Sequence, residues 1–445
     1  MKKKKSLLER KNTIIMGASG RDFSNFLVFF KNNPYYNVVA FTQNQIPGIE
    51  NRSFPKQLAG KFYKKNIPFY PESKLSKLIE KFKVEKVFLC YSDLSHQDVM
   101  EKASLVLSSG ADFELLGAKN TWVESKKPVV AVLAVRTGCG KSQTSRAIAE
   151  ILRKKGKKVI GVRHSMPYGD LLKQTSQRFE TEEDFEKQNT TIEEQEEYQP
   201  WIDHGFIVYS GFDYHEIVKD VEGEDDVILF DGGNNDVSFI KPNLTVVVTD
   251  PHRPGHELTY YPGFVNFLSA DVIIINKIDS APKEGIKTVE DNIKKYNSKA
   301  MVIHARSEII VKNSNLIKNK KCLIVGDGPS LTHGGTKFGA GTLAVKKYGG
   351  KIVDARKYAV NSIKKTYEKY PHLKNELPAM GYNKKQIKEL EKTINRTPCD
   401  IIIDGTPADL KNLIKTKKPI VEVNYELGEE AVRKLEKILK KKRFI

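Results

Sequence analysis

Short apolar runs alternate with helical patterns along most of the chain. Residues 129–135 form an unbroken apolar run after Pro128, which is typical of a strand buried on both faces. The segment from Thr144 to Ile151 instead follows helical spacing. Similar apolar runs predict strands at 13–16, 38–42, 84–91, 158–162, 226–230, 244–249, 272–275, 322–325 and 400–404. This alternation predicts an α/β fold of mostly parallel strands connected by helices.

The same pattern divides the 445 residues into three predicted regions. Residues 1–125 are predicted to form a Rossmann-like N-terminal domain, because the first strand runs into a glycine-rich turn that opens a helix. Residues 126–345 are predicted to form a P-loop NTPase core, and residues 346–445 a smaller C-terminal α/β region. The N-terminal turn lacks a clear third glycine and an acidic ribose partner, so ligand-binding and purely architectural roles both stay open.

A glycine-rich turn follows the strand at 129–135 and precedes the helical segment. This arrangement directs backbone amides at a phosphate, while Lys141 adds a positive charge and Ser142 offers a hydroxyl to Mg²⁺. Val135 stands where the usual phosphate-binding pattern, G-x-x-x-x-G-K-[ST], has its first glycine. The loop instead resembles the deviant loop of SIMIBI NTPases, in which a lysine stands at the position of Arg136. The predicted nucleotide-binding residues here are Thr137, Gly138, Cys139, Gly140, Lys141, Ser142 and Gln143.

Two further segments fit nucleotide chemistry. Asp231 lies at the tip of the strand predicted at 226–230, which suits a Walker-B role in which it binds Mg²⁺ together with Ser142. Asn276, Lys277 and Asp279 form the N-K-x-D pattern by which many P-loop GTPases bind guanine. ATP and GTP are therefore both candidate cosubstrates.

Other polar loops follow predicted strands and could bind a phosphorylated substrate. Because ligands bind at the carboxyl ends of parallel strands, these loops point to one site, although each could also be a structural turn. The acidic stretch at 180–197 is predicted to be a solvated helix or a lid over a cationic site. The candidate substrate-binding residues are Arg163, His164, Asp170, Arg253, His333 and Lys337.

The composition narrows the class of partner. The net charge is +19, from 74 Lys and Arg against 55 Asp and Glu, so the chain attracts anions. No nucleic-acid motif accompanies this charge, which favours a small phosphorylated substrate over nucleic acid. No apolar run approaches the ~18 residues of a membrane span. The four cysteines lack metal-ligand spacing, and the basic N-terminus lacks the apolar stretch of a signal peptide, so we expect a cytoplasmic protein.

Long sequence blocks at 17–23, 135–146, 162–171, 327–334 and 377–382 resemble the cyclic 2,3-diphosphoglycerate synthetase family. The resemblance implies ATP-driven closure of an intramolecular phosphoanhydride in 2,3-diphosphoglycerate, with Mg²⁺ and a cytoplasmic setting. The residues themselves make Lys141, Arg136 and Asp231 the candidate catalytic residues. Arg136 would reach the transferring group directly or across the interface of a homodimer. Gly335-Thr336 departs from the family pattern, and N-K-x-D suggests GTP. A regulatory or metallochaperone-type GTPase of the SIMIBI class is therefore the alternative.

Overall fold

The computed structural model describes residues 10–43, 52–164, 166–167, 169–233, 236–332, 334–379, 384–407 and 410–445. Within these residues, the chain forms three mostly parallel sheets with helices between successive strands. The predicted α/β fold is confirmed. None of the helices in these ranges is long and apolar enough to cross a membrane.

The first sheet is built from the N-terminal region and has the strand order β3-β4-β2-β1-β5-β7, parallel except for the β3–β4 pair. Its apolar side chains include a tight group of phenylalanines, among them Phe23, Phe41 and Phe69, whose rings pack against one another. The strands are β1 Lys11–Met16, β2 Tyr36–Gln43, β3 Ser53–Phe54, β4 Ile67–Pro71, β5 Lys86–Leu89 and β7 Asp112–Leu115. The helices are α1 Arg21–Asn25, α2 Lys56–Ala59, α3 Leu75–Phe82 and α4 His96–Ser108.

The second sheet has eight strands in the order β10-β11-β9-β12-β8-β13-β15-β16, and only the β10–β11 pair is antiparallel. All six residues of β8 are buried, as expected for a central strand covered by helices on both faces. The strands are β8 Val129–Ala134, β9 Val159–His164, β10 Gln177–Phe179, β11 Ile207–Gly211, β12 Val227–Asp231, β13 Leu244–Thr249, β15 Val272–Ile275 and β16 Met301–His304. The helices are α5 Lys141–Lys154, α6 Glu183–Lys187, α7 Ile192–Ile202, α8 Tyr214–Val221, α9 His256–Thr259, α10 Gly263–Ser269 and α11 Lys283–Tyr296.

The third sheet has the path β17-β22-β21-β18-β19, with β20 also paired to β18. Only the β17–β22 pair is antiparallel. The strands are β17 Ser307–Val311, β18 Lys321–Gly326, β19 Lys351–Ile352, β20 Glu376–Pro378, β21 Ile401–Gly405 and β22 Ile420–Leu427. The helices are α12 Gly328–Leu331, α13 Ala340–Lys347, α14 Asn361–Lys369, α15 Lys384–Arg396, α16 Leu410–Leu413 and α17 Glu429–Lys441.

The sheets divide the chain at a different place from the predicted boundary at 345/346. The second sheet ends with β16 at His304, and the third begins with β17 at Ser307. Two strands placed in the predicted core, β17 and β18, therefore belong to the third sheet because their hydrogen-bonded partners lie near the C-terminus. Conversely, helix α17 lies in the predicted C-terminal region, but its apolar residues pack into the core of the second sheet.

The first and second sheets are joined directly. A short antiparallel ribbon pairs β6 (Leu94–Ser95) with β14 (Tyr260–Tyr261). The ring centroid of Phe212, which follows β11, lies 5.4 Å from that of Phe23 in helix α1 of the N-terminal region. These contacts fix the N-terminal region against the loops that follow the parallel strands of the second sheet.

Candidate active site

The glycine-rich turn between β8 and α5 is shaped by contacts from the N-K-x-D segment. Asn276 Nδ2 donates to the carbonyl oxygen of Cys139 at 2.8 Å, and Lys277 Nζ donates to that of Gly138 at 2.5 Å. Gly140 has φ +101°, and a Cβ there would lie 2.1 Å from Asn276 Nδ2. Only glycine fits this position, so the turn keeps its amides at the start of α5.

Asp231, at the end of β12, is fully buried and surrounded by donors. Its Oδ1 accepts from Lys141 Nζ at 2.5 Å and Ser145 Oγ at 2.8 Å. Its Oδ2 accepts from Trp201 Nε1 at 3.3 Å and from the Arg163 guanidinium. Burial alone would raise the pKa of Asp231, but Arg163 and Lys141 hold it well below the usual range. Burial and the nearby Arg163 lower the pKa of Lys141 to about 8.

The acidic stretch reaches this site. Helix α7 carries Glu197, which forms an ion pair with Arg163, while Glu196 of the same helix lines the adjoining cavity. Arg163 therefore bridges a buried carboxylate and a partly exposed one. Helix α7 thus contacts a cationic residue at the site, whereas Glu180, Glu182, Glu183 and Glu186 before it are exposed. A lid role for the stretch stays a prediction.

Asp250, just after β13, organises the opposite side of the turn. Its Oδ2 accepts from Lys277 Nζ and Arg253 Nη2, both at 2.9 Å. Arg253 also donates to the carbonyl of Gly334, and its Nη2 lies 3.5 Å from Cys139 Sγ. Burial would raise the pKa of Asp250, but Lys277 and Arg253 hold it well below its ordinary value. This ion-pair group fastens the turn to the loop that follows α12.

Arg136 is directed towards the N-terminal region. Its Nε lies 2.9 Å from Asp93 Oδ1, and its guanidinium lies 3.6 Å from the centroid of the Tyr260 ring. Thr137 Oγ1 donates to Asp93 Oδ2 at 3.1 Å. The residue at the signature-lysine position thus connects the phosphate-binding turn to the loop after β5. Its predicted direct contact with a transferring group stays a prediction.

A cavity of about 470 Å³ lies over the turn, between the second and third sheets. The second sheet contributes Ser142, Asp231 and Arg163, and Arg253 and Lys337 also line the cavity. The third sheet contributes the ends of its strands and the residues after them, including Asp327, Gly405 and Tyr425. The cavity therefore has one wall that suits phosphates and another built from the C-terminal region.

The remaining predicted residues fall at varying distances from this cavity. Asp279 is exposed, and its Oδ1 accepts from the backbone N–H of Ser307 at 2.9 Å. Gln143 is buried and accepts from Ser307 Oγ at 3.2 Å. Asp170 is exposed and accepts from a backbone N–H in its own turn, outside the set of cavity-lining residues. His164 contacts Asp236 and is treated below, and His333 lies outside the described residues.

The cavity offers few protein oxygens to a metal ion. Among the described residues, no three His, Cys, Asp or Glu side chains are grouped to hold a metal ion. Mg²⁺ in phosphoryl-transfer sites needs only one or two protein oxygens, because phosphates and waters supply the rest. The Ser142 hydroxyl and the Asp231 carboxylate lie at the cavity and provide such oxygens, so these residues fit Mg²⁺.

The glycine-rich turn after β1 is occupied by its own chain. Asp22 Oδ1 accepts from the backbone N–H groups of Ser19, Gly20 and Phe23 at 2.8–3.2 Å. Burial nevertheless raises the pKa of Asp22 to about 6. Because this carboxylate takes the amides that a pyrophosphate would need, the turn does not have the form of a dinucleotide-binding loop.

Several residues at the site were not predicted from the sequence. They are Asp93, Ser145, Glu197, Trp201 and Tyr260. Asp93 could have been predicted as a site residue, because it lies just beyond a predicted strand and loop residues at such positions face ligands. Trp201 and Ser145 lie within helices, and nothing in their local pattern distinguishes them from core or surface residues.

A curated protein, arginine synthetase ArcE of Thermococcus kodakarensis, is 56% identical over 432 residues, covering 97% of this chain and 96% of the relative. The chain belongs to the arginine synthetase ArcE family. No family model matches the chain. The relative's name does not include cyclic 2,3-diphosphoglycerate, so that activity stays a prediction.

Solved structures give weaker similarities. LpxK from Aquifex aeolicus in complex with ATP is 13% identical with a TM-score of 0.45, covering 83% of this chain and 99% of that one. A UDP-N-acetylmuramate:L-alanyl-γ-D-glutamyl-meso-diaminopimelate ligase from Neisseria is 10% identical with a TM-score of 0.29, covering 69% and 82%.

Proposed function

We propose that this protein is an ATP-dependent arginine synthetase. The observation that carries the proposal is the 56% identity, over nearly the whole of both chains, to a protein of that name. The phosphate-binding turn and the cavity above it support the nucleotide part of the reaction, since Lys141 and Ser142 both line that cavity.

The chemistry of arginine explains why a nucleotide would be needed. A guanidinium group forms when a nitrogen nucleophile replaces the oxygen of a ureido carbon, and that oxygen is a poor leaving group. In the simplest balanced reaction, the ureido oxygen of citrulline attacks the γ-phosphorus of ATP, and the bond to ADP breaks. Ammonia then adds to the activated carbon and loses a proton. The C–O bond breaks, releasing inorganic phosphate and arginine.

The residues of the turn would serve the first half of this reaction. Lys141 now pairs with Asp231, and the β- and γ-phosphates of ATP would compete for its ammonium group. Asp231 keeps Arg163 and Ser145 as partners when Lys141 moves. Mg²⁺, held with the phosphates by Ser142 and Asp231, would neutralise charge on the transferring group. These donors stabilise charge that increases on the phosphates during transfer.

The alternative that the sequence resemblance implies is cyclisation of 2,3-diphosphoglycerate. Such a substrate brings several negative charges and needs available cations. Arg163, Arg253 and Lys277 line the cavity, but each already pairs with a carboxylate. A multiply charged acid would have to displace those carboxylates, whereas a ureido group is neutral. Arg146 and Lys337 also line the cavity, and within the described residues neither forms an ion pair with a carboxylate. The charges around the cavity therefore do not by themselves separate the two substrates.

One assay separates these functions. Purified protein is incubated with Mg²⁺, citrulline and ammonium, with ATP or GTP, and arginine and nucleoside diphosphate are quantified by mass spectrometry. We expect equal amounts of arginine and ADP, and neither product with Lys141→Ala. Nucleotide consumption that depends on 2,3-diphosphoglycerate would favour cyclisation, and GTP hydrolysis without any acceptor would favour the SIMIBI GTPase. Either result without arginine formation would contradict the proposal.

A further inference from the structure

A second group of buried polar side chains lies where α1 meets the loop after β12. Arg21 is 4% exposed and Asp236 is 1% exposed, and Arg21 Nη1 lies 3.6 Å from Asp236 Oδ1. That separation allows charge attraction but not a normal hydrogen bond. On the far side of Asp236, His164 Nδ1 lies 3.3 Å from Oδ2. Arg21 Nη2 donates to Tyr261 Oη at 3.2 Å.

The hydrogen-bonding capacity of this group is unused within the described part of the chain. Arg21 Nε and Nη1 have no hydrogen-bond partner, and neither oxygen of Asp236 accepts a hydrogen bond. The hydroxyl of Tyr214, which is close enough to Asp236 for electrostatic interaction, also has none. Buried charged groups are normally hydrogen-bonded, because a buried donor or acceptor without a partner destabilises the fold. A ligand that satisfies these atoms would remove that destabilisation.

The types of side chain indicate the chemistry of the ligand. A guanidinium with open N–H groups suits a carboxylate, to which it can donate charge-assisted hydrogen bonds. An adjacent carboxylate with open oxygens suits an ammonium group. A guanidinium and a carboxylate side by side therefore match the two charged groups of an α-amino acid, which bears both charges on one carbon.

The position of the group relates it to the nucleotide cavity. Asp231 and Asp236 lie on one connection, and Gly233 between them lines the cavity. A Cβ at Gly233 would lie 2.5 Å from the His164 ring, so the backbone there touches the side chain that contacts Asp236. Among the described residues, Gly233 therefore connects the cavity lining to His164, the side chain that contacts Asp236. A ligand held by Arg21 and Asp236 would thus have its other end directed past Gly233 towards the nucleotide.

We propose that Arg21 and Asp236 form a binding site for the α-carboxylate and α-ammonium groups of the amino-acid substrate, between the first and second sheets. The assignment of that amino acid to arginine and its ureido precursor rests on the proposed function. The site makes the N-terminal region part of substrate recognition rather than a purely architectural domain.

Ligand analogues that lack one charged group test each contact separately. Arginine, agmatine, which lacks the α-carboxylate, and δ-guanidinovalerate, which lacks the α-ammonium, are titrated calorimetrically into the full-length protein with a non-hydrolysable ATP analogue. We expect arginine to bind roughly 10- to 100-fold more tightly than either analogue, as for loss of one charge-assisted contact. In Arg21→Met, arginine should bind no better than agmatine. In Asp236→Asn, it should bind no better than δ-guanidinovalerate.

A control variant separates ligand recognition from simple loosening of the N-terminal region. Lys102→Met removes an ion pair of the N-terminal region that does not involve Arg21, in which Nζ of Lys102 in α4 lies 2.5 Å from Oε1 of Glu72 after β4. We expect arginine affinity to be unchanged in this variant. An equal loss of affinity in Lys102→Met and Arg21→Met would overturn the inference. Equal binding of agmatine and arginine by the unmodified protein would overturn it as well.

Failure of this inference is distinguishable from failure of the proposed function. If the protein forms arginine and Arg21→Met keeps the KM for citrulline, the inference is wrong and the proposed function stands. If no arginine is formed, the same titration is run with other α-amino acids. An amino acid whose binding requires both Arg21 and Asp236 would then support the site, and the absence of any such ligand would overturn it.

Discussion

Replacement of Arg163 by methionine tests the ion-pair group around Asp231. Methionine fills similar apolar volume but removes the positive charge and the donors. The Asp231 carboxylate stays fully buried with Lys141 and Ser145 on Oδ1, while its Oδ2 keeps only the Trp201 N–H at 3.3 Å. We therefore expect a clear loss of stability without loss of the fold.

The size of the effect follows from the burial of both groups. Removing one partner of a buried ion pair lowers the free energy of unfolding by about 3–5 kcal/mol. Because Lys141 still pairs with Asp231 in this variant, we expect a loss of about 3 kcal/mol. Glu197 is partly exposed and can turn to solvent, so its loss of a partner adds little. With an unfolding entropy of about 2.1 cal/mol/K per residue over the whole chain, about 3 kcal/mol lowers Tm by about 3 °C.

Thermal unfolding of four proteins measures the coupling: unmodified, Arg163→Met, Asp231→Asn and the double variant. Because the double variant no longer contains a buried carboxylate that lacks its Arg163 partner, we expect it to be more stable than the sum of the single effects by about 2 kcal/mol. Arg178→Met is the control, since Arg178 is a partly exposed partner of Glu180 and Glu224 and should cost under about 1 kcal/mol. Strictly additive single effects would refute the reasoning.

Three further predictions follow from individual residues. Lys141→Ala should lower kcat by about 10³-fold or more with an unchanged circular dichroism spectrum, because it removes a charge aimed at the transferring phosphate; near-normal turnover would contradict this role. The pKa of Asp22 is raised to about 6 from 3.8, so the folded protein binds this proton more tightly. Its contribution to the free energy of unfolding should therefore fall by about 3 kcal/mol as pH rises from about 4 to about 6, and Asp22→Asn should remove that slope from denaturant titrations. Asp279→Ala should change the KM for ATP by no more than about twofold, because its carboxylate accepts from the Ser307 N–H and lies outside the cavity lining. A tenfold rise would instead indicate that Asp279 contacts the nucleotide base.

Much of the nucleotide side of the site could be predicted from the sequence. Apolar runs mark the parallel strands, and the carboxyl ends of such strands meet at one edge of a sheet. Lys141, Asp231 and Asn276 follow three different strands and do converge, with Lys141 on Asp231 and Asn276 on the turn beside Lys141. The predicted α/β fold holds for the same reason, since strand periodicity is a local property of the sequence.

The missed features depend on contacts between distant segments. Strand β17 pairs with β22, more than a hundred residues later, so no local pattern places Ser307 in the third sheet. Asp22 has the spacing of a residue in a ligand-binding turn, but its own carboxylate fills that turn. Arg163 lines the cavity between Asp231 and Glu197, which no local pattern shows, and its predicted contact with substrate stays a prediction. In each case the partner of a polar group, rather than its residue type, determines its role.

The fate of the ureido oxygen tests the central claim most directly. Citrulline carrying a heavy oxygen isotope in its ureido group is incubated with ATP, Mg²⁺, ammonium and the protein, and the products are analysed by mass spectrometry. If ATP activates the ureido oxygen by phosphorylation, each arginine formed is accompanied by one inorganic phosphate that contains the heavy oxygen. Arginine formation with unlabelled phosphate, or ATP consumption with the label retained in citrulline, would contradict the account.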